Sequence, residues 1–335
     1  MIIAIDAMGG DHAPQEIIKG CMLALDEYQD ISLILVGQQD VLEKELAKYK
    51  SCKNRMSIQN ASDVITTHEA PVSGIRSKKD SSMVVGLEMV KVKKTQAFIS
   101  AGSTGALMVG SLLKVGRIKG IDRPALASII PTKKQGVLLL DVGANAECKS
   151  INLVQFAMMG SIYMNKVFER SNSKVGLVNI GEEEEKGNEL VKSAYQAMKT
   201  ASCNFIGNVE ARDIFEGNAD VLVCDGFTGN IILKLIEGLA DTIFLMLKIE
   251  FMRNILSKLA AWILKPALRN FKKKMDYTEY GGAPFLGIDG CIIKAHGSSN
   301  ANAIKNAIRQ AQNFIKGNVN ELISKEIIKL EDNKQ

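Results

Sequence analysis

The feature that most narrows what this chain can become is a unit repeated along it. A short apolar run meets a turn of glycine and small polar residues, and a helical pattern follows. Residues 2–5 lead into Asp6-Ala7-Met8-Gly9-Gly10-Asp11, residues 97–100 into Ala101-Gly102-Ser103-Thr104-Gly105, and residues 136–140 into Asp141-Val142-Gly143-Ala144-Asn145. The runs 31–36, 175–179, 219–224 and 291–294 do the same, the last two entering Asp225-Gly226-Phe227-Thr228-Gly229-Asn230 and Ala295-His296-Gly297-Ser298-Ser299-Asn300. Such alternation predicts a three-layer α/β/α domain with a largely parallel, doubly wound sheet. One catalytic domain is expected over 1–330, with a frayed tail over 326–335. Ligands bind beyond the strand C-termini in sheets of this kind, so the turns are expected at one edge. Residues 126–130 and 136–140 read as successive strands able to pair antiparallel. A helix is expected over 39–50.

Between Asp241 and Met275 the charges are eight basic against two acidic, +6, whereas the whole chain carries +5. Apolar residues at helical spacing share this stretch, among them Ile255, Leu259, Trp262 and Ile263, with Lys248, Arg253, Lys258 and Arg269 between or across from them. Residues 241–275 therefore read as a protruding amphipathic helical arm. Three readings stay open: an interior helix pair with snorkelling lysines, a dock for an acidic protein, or a helix on an anionic membrane face with Trp262 at headgroup level.

Several classes are disfavoured. Aromatics make up 5% of the chain and rarely interleave with Lys or Arg outside the arm, which argues against nucleic acid. Cysteines 21, 52, 148, 203, 224 and 291 form no C-x-x-C pair and read as reduced core residues of a cytoplasmic protein. No apolar run approaches about 18 residues, and the N-terminus lacks a basic leader, so neither a span nor a signal peptide is expected. G-x-G-x-x-G, the P-loop pattern and G-x-S-x-G are all absent. No cofactor and no metal are expected.

The surviving candidates each have two readings. Asp6, Asp141 and Asp225 are helix caps and turn formers, or they shape an anion site. Gly9, Gly10, Gly102 and Gly226 supply tight turns, or leave room for a phosphate-sized group. Glu182 to Glu185 suit a solvated helix start. Lys186 follows these four acids where a cation is disfavoured, which points to an anionic ligand. His296 is a buried hydrogen-bonding group or a proton donor.

These motifs, with Asn179-Ile180-Gly181-Glu182-Glu183, Lys186-Gly187-Asn188-Glu189, Asn204-Phe205-Ile206-Gly207-Asn208-Val209-Glu210 and Tyr280-Gly281-Gly282-Ala283-Pro284, closely resemble the bacterial phosphate acyltransferase (PlsX) family, from Met1 to about Phe314. Ser103 departs from the Asn more frequent in that family. The resemblance implies a fold related to phosphotransacetylases, a homodimer and peripheral attachment to membrane. It implies transfer of a long-chain acyl group from acyl carrier protein to inorganic phosphate. The acyl phosphate would pass to a membrane glycerol-3-phosphate acyltransferase for phospholipid synthesis. On this reading Lys186 orients phosphate and Asn230 stabilises the oxyanion; His296, chosen for its place in the strand-end turn and not from the resemblance, protonates or positions the leaving thiolate. Asp6, Gly9, Gly10, Ser103, Thr104, Asn145, Asp225 and Gly226 form the phosphate and substrate site. Lys248, Arg253, Ile255, Lys258, Leu259, Trp262, Ile263 and Arg269 meet the membrane or the carrier protein. The rival readings are a transacylase acting on acyl-CoA, and a non-catalytic module that brings acidic partners to membrane.

Overall fold

The computed structural model describes residues 1–49, 53–275 and 280–332. Its strands are β1 (Ile2–Asp6), β2 (Ser32–Gly37), β3 (Met56–Asn60), β4 (Ala97–Ser100), β5 (Ala125–Ile130) and β6 (Val137–Leu140), then β7 (Lys174–Asn179), β8 (Asn204–Glu210), β9 (Val221–Val223), β10 (Ala283–Leu286) and β11 (Cys291–Lys294). The helices are α1 (Gln15–Glu27), α2 (Gln39–Leu46), α3 (Pro71–Ser77), α4 (Ser82–Lys91), α5 (Thr104–Gly110) and α6 (Ser150–Val167), then α7 (Glu189–Lys199), α8 (Gly226–Phe251), α9 (Ile255–Met275), α10 (Ala301–Lys316) and α11 (Val319–Asp332). One mixed sheet joins the strands in the order β3-β2-β1-β4-β11-β10-β5-β6-β9-β7-β8.

Neighbouring residues of a strand point to opposite faces, and here both faces are covered. Ile3, Ile5, Leu138, Leu140 and Ile293 pack with buried residues of α1, α6 and α10. Ala4, Val137, Leu139 and Ile292 face the other way, among residues of α4 and α5. The expected α/β/α layering follows directly from these runs.

The single edge expected for the turns is corrected. Strands β3, β2, β1, β4 and β11 are mutually parallel, as are β6, β9, β7 and β8, but the antiparallel pairs β11–β10, β10–β5 and β5–β6 separate the two blocks. Three reversals leave the blocks running in opposite senses. The register decides where they end. Ala283 and Pro284 of β10 pair with Lys294 and Ile293, then Phe285 and Leu286 pair with Leu126 and Ala125. Ala127 pairs in turn with Leu140, the last residue of β6. Followed across these pairs, β6 ends within about one residue step, ~3.4 Å, of the level where β11 ends. The C-terminal edges of the two blocks therefore face each other, and their turns meet at one cleft.

Three further boundaries differ from the sequence reading. Helix α2 stops at Leu46, before the expected residue 50, and Lys50 and Cys52 lie outside the described residues. Residues 326–332 fall within α11, which runs to Asp332 and buries Ile323 and Ile327, while 333–335 lie outside the described residues. The arm is two helices, because Asn254 accepts a hydrogen bond from the Ser257 N–H at 2.8 Å and starts α9 anew. Within this chain the arm is exposed rather than interior: Ile255 is 84% and Trp262 73% exposed, and Phe244 meets Phe271 across the two helices at 5.9 Å between ring centroids.

Candidate active site

On the first block, β1 ends at Asp6. Its buried carboxylate accepts from the Ser100 hydroxyl at 2.6 Å and the Met8 N–H at 3.2 Å, and burial raises its pKa above the ordinary value. Ser100 Oγ also accepts from the Gly102 N–H at 3.0 Å. A Cβ on Gly9 would stand 2.5 Å from Asp6 Oδ2 and 2.7 Å from the Gly102 nitrogen. Gly10 has φ +103°, and the next N–H, of Asp11, donates to Gly297 O at 2.8 Å. The turns after β1, β4 and β11 are thus laced together by groups too close for any side chain at Gly9.

The second block has a matching anchor. Asp141, fully buried after β6, accepts from the N–H groups of Leu126 and Ala144 at 3.0 Å each and of Asn145 at 2.6 Å. Burial pushes its pKa up, against the lowering effect of these bonds. Asn145 donates to Asp141 at 2.8 Å and to Pro124 O at 2.7 Å, and its carbonyl accepts from the Gly226 N–H at 2.8 Å. Asp225 caps α8 by accepting from the Thr228 N–H at 2.9 Å. A Cβ on Gly229 would overlap Asp141 O, so glycine lets the first turn of α8 lie on the 141–145 turn. That contact sets Asn230 beside Gly143, whose φ is +129°.

Between the blocks lies a cavity of about 620 Å³. Pro71, Met108, Val109, Leu126, Leu233 and Phe285 give it apolar walls, and Thr104, Asn230, Lys234, Glu237, Lys294, His296 and Ser299 supply polar groups. Lys234 pairs with Glu237 at 2.6 Å. His296 Nδ1 lies 2.8 Å from Ser298 Oγ and accepts from the Ser298 N–H at 3.3 Å, which favours the tautomer protonated on Nε2. Burial lowers the His296 pKa below the ordinary imidazole value. Burial likewise lowers Lys294 to about 8. Such a cavity has the chemistry to hold a molecule with a hydrocarbon part and an anionic part.

Of the residues expected in the site, Thr104, Asn230 and His296 line this cavity. Asp6, Gly9, Gly10, Asn145, Asp225 and Gly226 build the turns that frame it, and Ser103 caps α5 by accepting from the Ala106 N–H at 3.4 Å. Lys186 does not join Asn230 and His296. It is exposed in the turn after β7, held through its own backbone to Glu183 O at 3.2 Å and Asn179 Nδ2 at 3.1 Å. Helix α7 starts only at Glu189 with Asn188 as its cap, so Lys186 precedes the first helical turn and the dipole argument for it falls away. The sequence reading missed Lys234, Glu237, Lys294 and Ser299. The spacing 230, 233, 234, 237 marks one helix face, which was a usable signal; a lysine ending an apolar strand was a weaker one.

In the arm, Lys248, Arg253, Lys258, Leu259, Ile263 and Arg269 are exposed along with Ile255 and Trp262. Among the described residues no helix is long and apolar enough to cross a membrane.

The model of the family described as fatty acid synthesis protein matches residues 1–322. A phosphate acyltransferase of Alkaliphilus oremlandii is 58% identical over 99% of both chains, and one of Clostridium tetani is 53% identical over 99% of both. Among solved structures, a phosphotransacetylase of Streptococcus pyogenes superposes with TM-score 0.61 at 14% identity, covering 94% of each chain. A branched-chain phosphotransacylase of Enterococcus faecalis gives 0.59 at 14% identity, over 93% of this chain and 98% of that one. At such low identity these two structures speak for the fold alone.

Proposed function

This chain belongs to the fatty acid synthesis protein family and is an acyltransferase, and on that footing we propose that it moves a long-chain acyl group from acyl carrier protein to inorganic phosphate. The observation that carries the reading is the cavity where both strand-end edges meet, with an apolar wall and a polar one. A phosphate oxygen attacks the thioester carbonyl; the C–O bond forms, the C–S bond breaks, and the proton of hydrogen phosphate ends on the carrier thiol. Asn230 donates its carboxamide N–H to the oxyanion of the tetrahedral intermediate. His296, neutral at pH 7, presents Nε2–H to the departing sulfur. Lys186, on a turn of the same edge as Asn230, is the cation that orients phosphate on entry; normal turnover of Lys186→Ala at saturating phosphate removes it from the scheme.

The exposed, basic and apolar arm receives the acidic carrier protein and an anionic membrane face. It delivers acyl phosphate to a membrane glycerol-3-phosphate acyltransferase, the enzyme working in the cytoplasm as a peripheral homodimer. The test is acyl phosphate formation, trapped by hydroxylamine, with long-chain acyl carrier protein and with acyl-CoA as donors. Phosphate-dependent product from the carrier-bound donor is expected; product from acyl-CoA alone, or none, overturns the donor or the activity respectively. Deleting residues 244–274 is expected to abolish vesicle binding while small donors still turn over.

A further inference from the structure

The cavity holds a cation that the chemistry above leaves unused. Lys294 ends β11, is only 9% exposed, and lines the cavity. Its Nζ donates to Ala101 O at 3.3 Å and to Ala295 O. An ammonium group carries three N–H bonds. Two are spent on neutral carbonyls, which fix the head in place, and one remains for whatever enters. A charge this far from water is costly unless an anion stands against it.

A second group points the same way. Ser299 is 4% exposed and lines the same cavity, and its Oγ has no hydrogen-bond partner among the described residues. Its N–H is already spent on His296 O at 3.0 Å, so the hydroxyl is the group left over. A buried, unpartnered hydroxyl in the same cavity as a tethered ammonium calls for an occupant rich in acceptor oxygens.

We propose that Lys294 and Ser299 bind the phosphate that accepts the acyl group, Lys294 as counter-charge and Ser299 Oγ as hydrogen-bond donor. The proposal rests on the acyl-transfer reading and names which residues hold its acceptor substrate. The charged groups around Lys294 are Asp6 on β1 and Asp11 in the turn after it, which favour the ammonium, and Lys234 on α8, which opposes it; Glu237 and His296 face the same cavity. Burial brings Lys294 to about 8, so it is mostly charged at pH 7 and loses its charge as pH rises through 8. Phosphate binds the charged form, so KM for phosphate rises above that pH.

The experiment titrates inorganic phosphate at saturating long-chain acyl carrier protein in wild type, Lys294→Met, Lys294→Arg and Ser299→Ala. Lys294→Met is expected to raise KM for phosphate about 10- to 100-fold and Ser299→Ala about 10-fold, more than either changes kcat or the donor KM. In Lys294→Arg the alkaline rise in phosphate KM disappears, because a guanidinium keeps its charge. Folded variants with the wild-type phosphate KM overturn the proposal. Should Lys294→Met fail to fold, Ser299→Ala and the wild-type pH profile decide: an unaltered KM and a flat profile sink it. Wild type that makes no acyl phosphate from any donor refutes the acyl-transfer reading instead, which is a different result from phosphate dependence left unchanged.

Discussion

Gly229 rests directly on the carbonyl oxygen of Asp141, with no room for a methyl group between them. The start of α8 and the turn after β6 are therefore one packed unit, and Asn230 takes its place from that contact. Gly229→Ala must push α8 away from the turn. Overpacking of this kind costs about 1–3 kcal/mol, and the displaced Asn230 should lower kcat as well. A thermal melt with a turnover assay checks both; an unchanged melting temperature with full activity would show that the contact yields.

The environment of His296 predicts that this residue imposes no acid limb on the rate profile. Burial lowers its pKa, so the neutral form persists to pH values below the ordinary 6.5. Both forms carry Nε2–H and the imidazolium is the stronger donor to sulfur, so kcat should hold or rise as pH falls through that range, and His296→Gln should lower kcat and remove any such rise. The sign for stability follows the same logic. In the window between the two pKa values the unfolded chain binds more protons, so stability there rises with pH and is level above it. Rate and denaturation measured from pH 5 to pH 8 read both effects.

Met108 and Leu233 stand on the apolar side of the cavity. Met108→Trp should shorten the space open to a hydrocarbon chain while leaving the polar side alone. A change of this size in an apolar pocket is worth on the order of 1–3 kcal/mol in discrimination. The kcat/KM for long-chain donors should thus fall by ~10-fold or more relative to short ones. Equal losses for both lengths would place the chain elsewhere.

Ile255, Trp262 and Ile263 touch little besides solvent. Changing all three to Glu should shift folding stability by no more than ~0.5 kcal/mol per site. On the proposed membrane-docking reading, binding to anionic vesicles should weaken by ~10-fold or more, since each of these sites would bury apolar surface at the headgroup boundary. Sedimentation with vesicles, beside a melt of the free protein, separates the two.

Much of this architecture was legible because it is local. Asp141-Val142-Gly143-Ala144-Asn145 announces a strand end and a tight turn, and Asp225 ahead of a helical run announces a cap. The opposed sense of the two blocks was not legible, because it depends on β10 pairing its first two residues with β11 and its last two with β5. No periodicity in four residues records that division. Lys294 escaped for a related reason: at the end of Cys291–Lys294 it reads as the close of a strand, and only the meeting of two edges reveals a cavity beyond it. Lys186 drew attention through its acidic neighbours, yet those residues form a solvated turn ahead of α7.

Helix α8 begins at the cavity wall and continues for 26 residues, about 39 Å at 1.5 Å per residue. A rod of that length is a lever whose short end carries Asn230. A tilt of a few degrees at the root sweeps the outer end through several ångströms, and the same tilt applied from outside arrives at the wall as a fraction of an ångström. Whatever grips the tip of this rod also holds the setting of Asn230.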